Sequence, residues 1–293
     1  MIRKKCCVVA GLSLVISVMA AGCSNVVKNP MQYIMNEDET RQADKTKESE
    51  SSDDNEQKET SEEQTTKEVC ILGTDKRTDY SSKAMVSIAQ EINQKLEDDS
   101  VKGVILLQDK NYIEDMSYFL SLTVKDDKPL IIIPCDYEEN EPVEYVNQAK
   151  AYIADSKADV VLPENVILNH NTSVYYDISG VKDLPDVTII YDYAGSTGDD
   201  YIRAINKCDG AVIVSFSDAA EVSYAYDEYL SDKNIIPTVI ACEIADTGSI
   251  EEKEYNSDVS YTNISPSKAR LLLMLSLNSK ENQEQRNKAF QQN

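Results

Sequence analysis

From Val69 onward, short apolar runs alternate with longer stretches whose apolar residues recur every three or four positions. Val69-Cys70-Ile71-Leu72-Gly73 reads as a buried strand stopped by glycine. Ser82 to Leu96 places Met85, Ile88, Ala89, Ile92 and Leu96 on one face of a helix. Strand Val101 to Leu107, helix Tyr112 to Leu122 and strand Leu130 to Ile133 follow, then helix Glu141 to Asp155 and a strand-like Ala158 to Leu162. Continuous apolar strands alternating with amphipathic helices predict an α/β fold, its parallel sheet covered on both faces.

After Gly180 to Pro185 the pattern starts again. It predicts strands at Val187–Tyr191, Gly210–Ser215 and Thr238–Cys242. Helices are predicted at Asp199–Asn206, Asp218–Leu230 and Pro266–Leu277. The restart divides the folded part into a larger N-terminal α/β domain, 69–182, and a smaller C-terminal one, 183–293.

The first 68 residues are of another kind. Met1-Ile2-Arg3-Lys4-Lys5 and the apolar run Cys6 to Ala21 make an export signal over 1–23, too short to span a bilayer comfortably. It closes on Ala20-Ala21-Gly22-Cys23, which resembles a bacterial lipoprotein processing site. Cys23 is thus expected to carry a diacylglyceryl group and further acylation such as palmitate. Such lipid would anchor the chain on the extracytoplasmic face of the cell membrane. Residues 24–68 read as a disordered acidic tether: from Glu37 to Glu68 thirteen acids face five bases, with no aromatic residue.

Charge narrows the partners. The whole chain has 29 Lys+Arg against 52 Asp+Glu, a net −23. Nucleic acid is excluded as a natural partner, because a phosphate backbone is held by clustered basic charge. Attachment to an anionic membrane must come from the lipid at Cys23, since the protein's own charge opposes it.

Several collinear blocks resemble bacterial type II L-asparaginases. In the N-terminal half they lie within Val104 to Pro134 and include Glu114, Tyr118-Phe119-Leu120, Leu122-Thr123-Val124-Lys125 and Asp127-Lys128-Pro129. The C-terminal half adds Leu184-Pro185-Asp186-Val187, Ile190-Tyr191, Asp209-Gly210 and Pro266-Ser267-Lys268-Ala269-Arg270-Leu271-Leu272-Leu273, with Asn287 to Gln291 similar to the family's closing helix. The resemblance implies the asparaginase two-domain fold, with an active site between the domains completed by a neighbouring subunit. A homo-oligomer is therefore expected.

The family's chemistry is not carried over with its scaffold. Where the family has Thr-Gly-Gly-Thr, this chain has Thr74-Asp75-Lys76-Arg77, so the nucleophile's position falls on Arg77, which is permanently protonated. The His-Gly-Thr-Asp motif aligns with Gln108-Asp109-Lys110-Asn111, putting Lys110 and Asn111 at its threonine and aspartate. No lysine occurs from Leu162 to Asn171, where the catalytic lysine would lie. The mobile loop is cut to Thr78–Ser82, and a Gly-rich turn becomes Ser217-Asp218-Ala219-Ala220. Such groups act as a unit, so losing several is not repaired by keeping one. Thr74, with Tyr80 or Ser81 nearby, is the fallback nucleophile. Thr74, Arg77, Lys110 and Asn111 are the ligand-binding candidates, for a small amino acid or an anion drawn by two new cations.

Other chemistry is thinner. His170 is the only histidine, and although Ser173 is close, no Gly-x-Ser-x-Gly elbow accompanies it. No paired His/Cys spacing suggests zinc, and the acids of Asp136 to Glu141 lack EF-hand spacing, so no metal or cofactor is expected. Cys70, Cys135, Cys208 and Cys242 form no Cys-x-x-Cys pair; outside the cell a disulfide among them stays open, with partners the sequence does not choose, and four thiols are the preferred reading. Tyr175, Tyr176, Tyr191, Tyr193, Tyr224, Tyr226 and Tyr229 could line a cleft or an interface. Three functions remain: a non-catalytic asparaginase-like lipoprotein that binds a ligand or partner, an active asparaginase or glutaminase, and a solute-binding lipoprotein. The replaced catalytic positions favour the first.

Overall fold

The computed structural model describes residues 68–75, 79–125, 127–136, 142–155, 162, 164–170, 172–217, 220–231, 235–242, 253–255 and 258–292. The export signal, Cys23, the tether as far as residue 67, Arg77, the strand expected at 158–162 (but for Leu162) and the acidic residues 138, 139 and 141 lie outside the described residues.

Two four-stranded sheets are built in chain order. The first uses β1 (Glu68–Leu72), β2 (Val101–Asp109), β3 (Leu130–Cys135) and β4 (Ile167–Leu168), with helices α1 (Ser82–Glu97), α2 (Ile113–Thr123) and α3 (Pro142–Ala154) between them. In the second, β5 (Val187–Asp192), β6 (Gly210–Ser215), β7 (Thr238–Cys242) and β8 (Val259–Thr262) are joined through α4 (Asp199–Lys207) and α5 (Tyr224–Leu230). Helices α6 (Pro266–Asn278) and α7 (Gln283–Gln292) end the chain. All neighbouring strands are parallel except β4, which runs antiparallel to β3. The α/β class expected from the apolar alternation is the one observed.

Side-chain alternation along the strands explains the layering, since neighbouring residues point to opposite faces. Leu72, Val104, Leu106 and Ile132 of the first sheet share one apolar cluster with Val187, Val212, Val239 and Ala241 of the second. Ile92, Phe119, Leu272 and Phe290 fill that cluster from α1, α2, α6 and α7, so these helices form a layer common to both sheets. On its far face the second sheet packs Ile190, Ile213 and Ile240 against Tyr201, Tyr226 and Leu230 of α4 and α5. The first sheet's far face is covered by α3.

Four details differ from the sequence reading. β1 starts at Glu68, which the charge pattern assigns to the tether. The last strand of the first sheet among the described residues is the two-residue antiparallel β4, pinned beside β3 by Asn169 N–H donating to Leu130 O at 2.9 Å. α5 begins at Tyr224, not Asp218: Ala220 takes φ 53°, outside helical values, and the chain is extended at Ser223, the residue just before the helix. β8 was not expected at all. Its Ser260 and Thr262 break the apolar run, yet all four residues are buried.

Candidate functional site

The carboxyl ends of β1, β2 and β3 gather the residues singled out in the sequence. Parallel sheets commonly place their chemistry there. β1 hands over to Gly73, whose φ of 78° turns the chain away; a Cβ at that position would sit 2.2 Å from Leu107 O. Thr74 and Asp75 follow, both exposed. β2 ends at Asp109, and Lys110-Asn111 turn tightly into α2, with Tyr112 N–H donating to Asp109 O at 3.0 Å.

Two carboxylates organise the turn. Asp109 Oδ1 accepts the Asn111 N–H at 2.9 Å, an Asx turn, while its Oδ2 accepts the Tyr80 hydroxyl at 3.1 Å. Tyr80 stacks on Tyr112 with ring centroids 3.9 Å apart. Asp136, just past β3, forms an ion pair with Lys110 Nζ at 2.5 Å. The Lys110 N–H also donates to Cys135 O at 3.3 Å, tying the β2 turn to the end of β3.

This arrangement fixes the roles the candidates can play. Lys110 spans to Asp136 and cannot serve as a hydroxyl nucleophile, while Asn111 is exposed and contributes its backbone to the turn. Thr74 keeps an exposed hydroxyl, which makes no hydrogen bond to a base among the described residues. Cys135 is no substitute, because burial pushes its thiol up to about 11, helped by the charges of Asp136 and Asp109. The structure therefore brings Thr74, Lys110 and Asn111 to one sheet edge. The sequence reading places Asp109, Asp136 and Tyr80 in other roles and does not pair them, because hydrogen bonding across 26 to 29 residues leaves no local spacing to detect.

Gln108 adds an unusual feature. It is fully buried on the face of β2 that carries Val104 and Leu106, and neither atom of its side-chain amide has a partner among the described residues. An unpaired buried amide is costly, so such a group marks a place where polar chemistry is retained against stability.

The stacked tyrosines line a cleft of about 320 Å³ among α1, α2, α6 and β5, reaching from Tyr80 and Met85 to Ile189 and Arg270. Elsewhere the weaker candidates stay apart. His170 and Ser173 are exposed with no hydrogen bond between them among the described residues. No metal-holding group of His, Cys, Asp and Glu occurs among the described residues. Cys70, Cys135, Cys208 and Cys242 are free thiols. Of the tyrosines, Tyr176 and Tyr226 are buried, while Tyr175, Tyr191, Tyr193 and Tyr224 are exposed. No helix among the described residues is long and apolar enough to cross a membrane.

Comparison with known proteins finds a distant relative. L-asparaginase 2 of Bacillus subtilis (strain 168) is 23% identical over 265 residues, covering 73% of this chain and 70% of that protein. The chain is a distant homologue of an L-asparaginase. No family model matches it. The relationship runs through most of the chain, as does the α/β architecture that fits an asparaginase-like fold.

Proposed function

We propose that this chain is a lipid-anchored, asparaginase-like binding protein whose strand-end site does not hydrolyse amides. The observation that carries the proposal is the Lys110–Asp136 ion pair at 2.5 Å, which occupies the strand end where the resemblance places a catalytic threonine. An ammonium group bound to a carboxylate is neither nucleophile nor general base. Thr74, the fallback hydroxyl, is exposed and hydrogen-bonds to no base among the described residues, and nucleophilic catalysis by a hydroxyl requires one.

Thr74, Arg77, Lys110 and Asn111 are proposed to bind a small amino acid or anionic ligand. Cys23 supplies the membrane attachment and holds the protein on the extracytoplasmic face. Self-association is the expected oligomeric mode. The decisive measurement is ammonia release from L-asparagine and L-glutamine by the full chain, compared with Thr74→Ala. No release above background is expected from either protein. Turnover that disappears with Thr74 would replace this reading with the alternative, an active asparaginase or glutaminase, which the distant relationship to L-asparaginase 2 favours. Calorimetry with aspartate, glutamate and short dicarboxylates tests the ligand class, and loss of membrane attachment in Cys23→Ser tests the anchor.

A further inference from the structure

The cleft lined by Tyr80 and Ile189 is built mainly from the first turns of helices. α2 presents Asp115 and Met116 three and four residues after its cap, Tyr112. α6 repeats the spacing with Ser267, Arg270 and Leu271 on one face of its N-terminal turns. α1 adds Met85, so the positive ends of three helices approach one cavity.

The cavity carries one fixed charge of each sign. Arg270 donates Nε to Val187 O at 2.7 Å, and its two terminal guanidinium nitrogens have no partner among the described residues. Asp115, half-buried in the same lining, likewise has no partner for its carboxylate among them. These two groups do not form an ion pair with each other. Met85, Met116, Ile189 and Leu271 supply apolar wall between them. Methionine in such a wall adapts to the shape of a guest.

Neighbouring contacts hold the cavity open in this form. Lys268 pairs with Glu114 at 2.6 Å, locking α6 to α2 on the flank, and the Arg270–Val187 bond locks α6 to β5. Binding thus requires little rearrangement, which favours a small ligand.

We propose that this cleft binds a small zwitterion with an apolar side chain, an amino acid of the leucine type. Its carboxylate meets Arg270 and the Ser267 end of α6, its ammonium meets Asp115, and its side chain lies among the methionines. The proposal does not rest on the strand-end reading and stands whether or not the protein releases ammonia.

Calorimetry on the purified full-length protein tests it with three probes: leucine, 4-methylpentanoate, which lacks the ammonium, and 3-methylbutylamine, which lacks the carboxylate. Leucine is expected to bind saturably, and each analogue about ten- to a hundredfold more weakly, the effect of one lost charge-assisted hydrogen bond. Asp115→Asn should abolish the preference for leucine over 4-methylpentanoate. Arg270→Gln should abolish the preference over the amine. Absence of saturable leucine binding, equal binding of all three probes, or an unchanged preference in Asp115→Asn would each overturn the proposal. The three-probe comparison on the unaltered protein decides even if Arg270→Gln fails to fold.

Discussion

The two sheets end differently. At its carboxyl edge the first sheet turns out Lys110, Asp136, Tyr80 and Tyr112, side chains that bond mainly to one another. At the same edge the second sheet bonds its side chains to its own backbone. Ser215 Oγ donates to Glu221 O at 2.6 Å, Cys242 Sγ to Ser217 O at 2.9 Å, and Asp192 accepts the Ser223 N–H at 2.5 Å. Parallel strands dominate both sheets, which share a helical layer, yet among the described residues the first sheet's edge is the one where charged and aromatic side chains bond to each other. Loops fixed by their own sheet are structural; side chains held by each other can be rearranged by a guest.

The shared layer gives the largest test. Leu272→Ala on α6 removes a fully buried side chain from the cluster between the sheets. A loss of about 2–5 kcal/mol is expected, with both sheets unfolding in one transition. Two separate transitions in calorimetry would show that the sheets are independent after all.

The strand ends come next. Ser215→Ala should cost about 0.5–1.5 kcal/mol, because it removes the hydrogen bond to the Glu221 carbonyl. Gln108→Met should do the opposite and stabilise by roughly 1 kcal/mol, since the amide it removes is buried without a partner. Denaturant titration of both variants sets one sheet end directly against the other, and a destabilised Gln108→Met would mean that the amide is satisfied by a guest.

Lys110→Ala sharpens the contrast further. The lysine side chain is 56% exposed, so its ion pair with Asp136 should contribute only about 0–1 kcal/mol to stability. A functional loss without a stability loss is the signature expected of a binding residue.

A pH-dependent effect is the smallest. Ser82 Oγ donates to Asp183 at 2.6 Å, joining the start of α1 to the connection between the sheets, and this bond holds the carboxyl below the usual range. A depressed carboxyl stabilises above its unfolded value of about 3.9 and loses that contribution as pH falls through the folded value. Asp183→Asn should therefore lower the melting temperature at neutral pH and match the parent in strong acid. Equal differences at both pH values would remove the charge from the account.

Most elements were legible because their apolar periods are strong. α1 places Met85, Ile88, Ala89, Ile92 and Leu96 in the core as the spacing predicts, and β6 is buried throughout. The misreadings have a common cause. β8 carries Ser260 and Thr262, and the α5 region hides a turn at Ala220, so in both places tertiary contacts override the local pattern. The candidate site was legible only in part. Thr74, Lys110 and Asn111 stand in strand-end motifs that a sequence displays, whereas Asp136 and Tyr80 reach Lys110 and Asp109 only once the strands are side by side.

By itself, the sequence determined the α/β class, the order of most helices and strands, and the charged residues Asp75, Asp109 and Lys110 at the strand ends. Those properties are written in periodicity and residue type, which are local. Tertiary structure decided that two sheets share one helical layer, that Lys110 meets Asp136, and that Asp115 and Arg270 line the same cleft unpaired with each other. Each of these depends on bringing together residues far apart in the chain, and no short-range pattern encodes that distance.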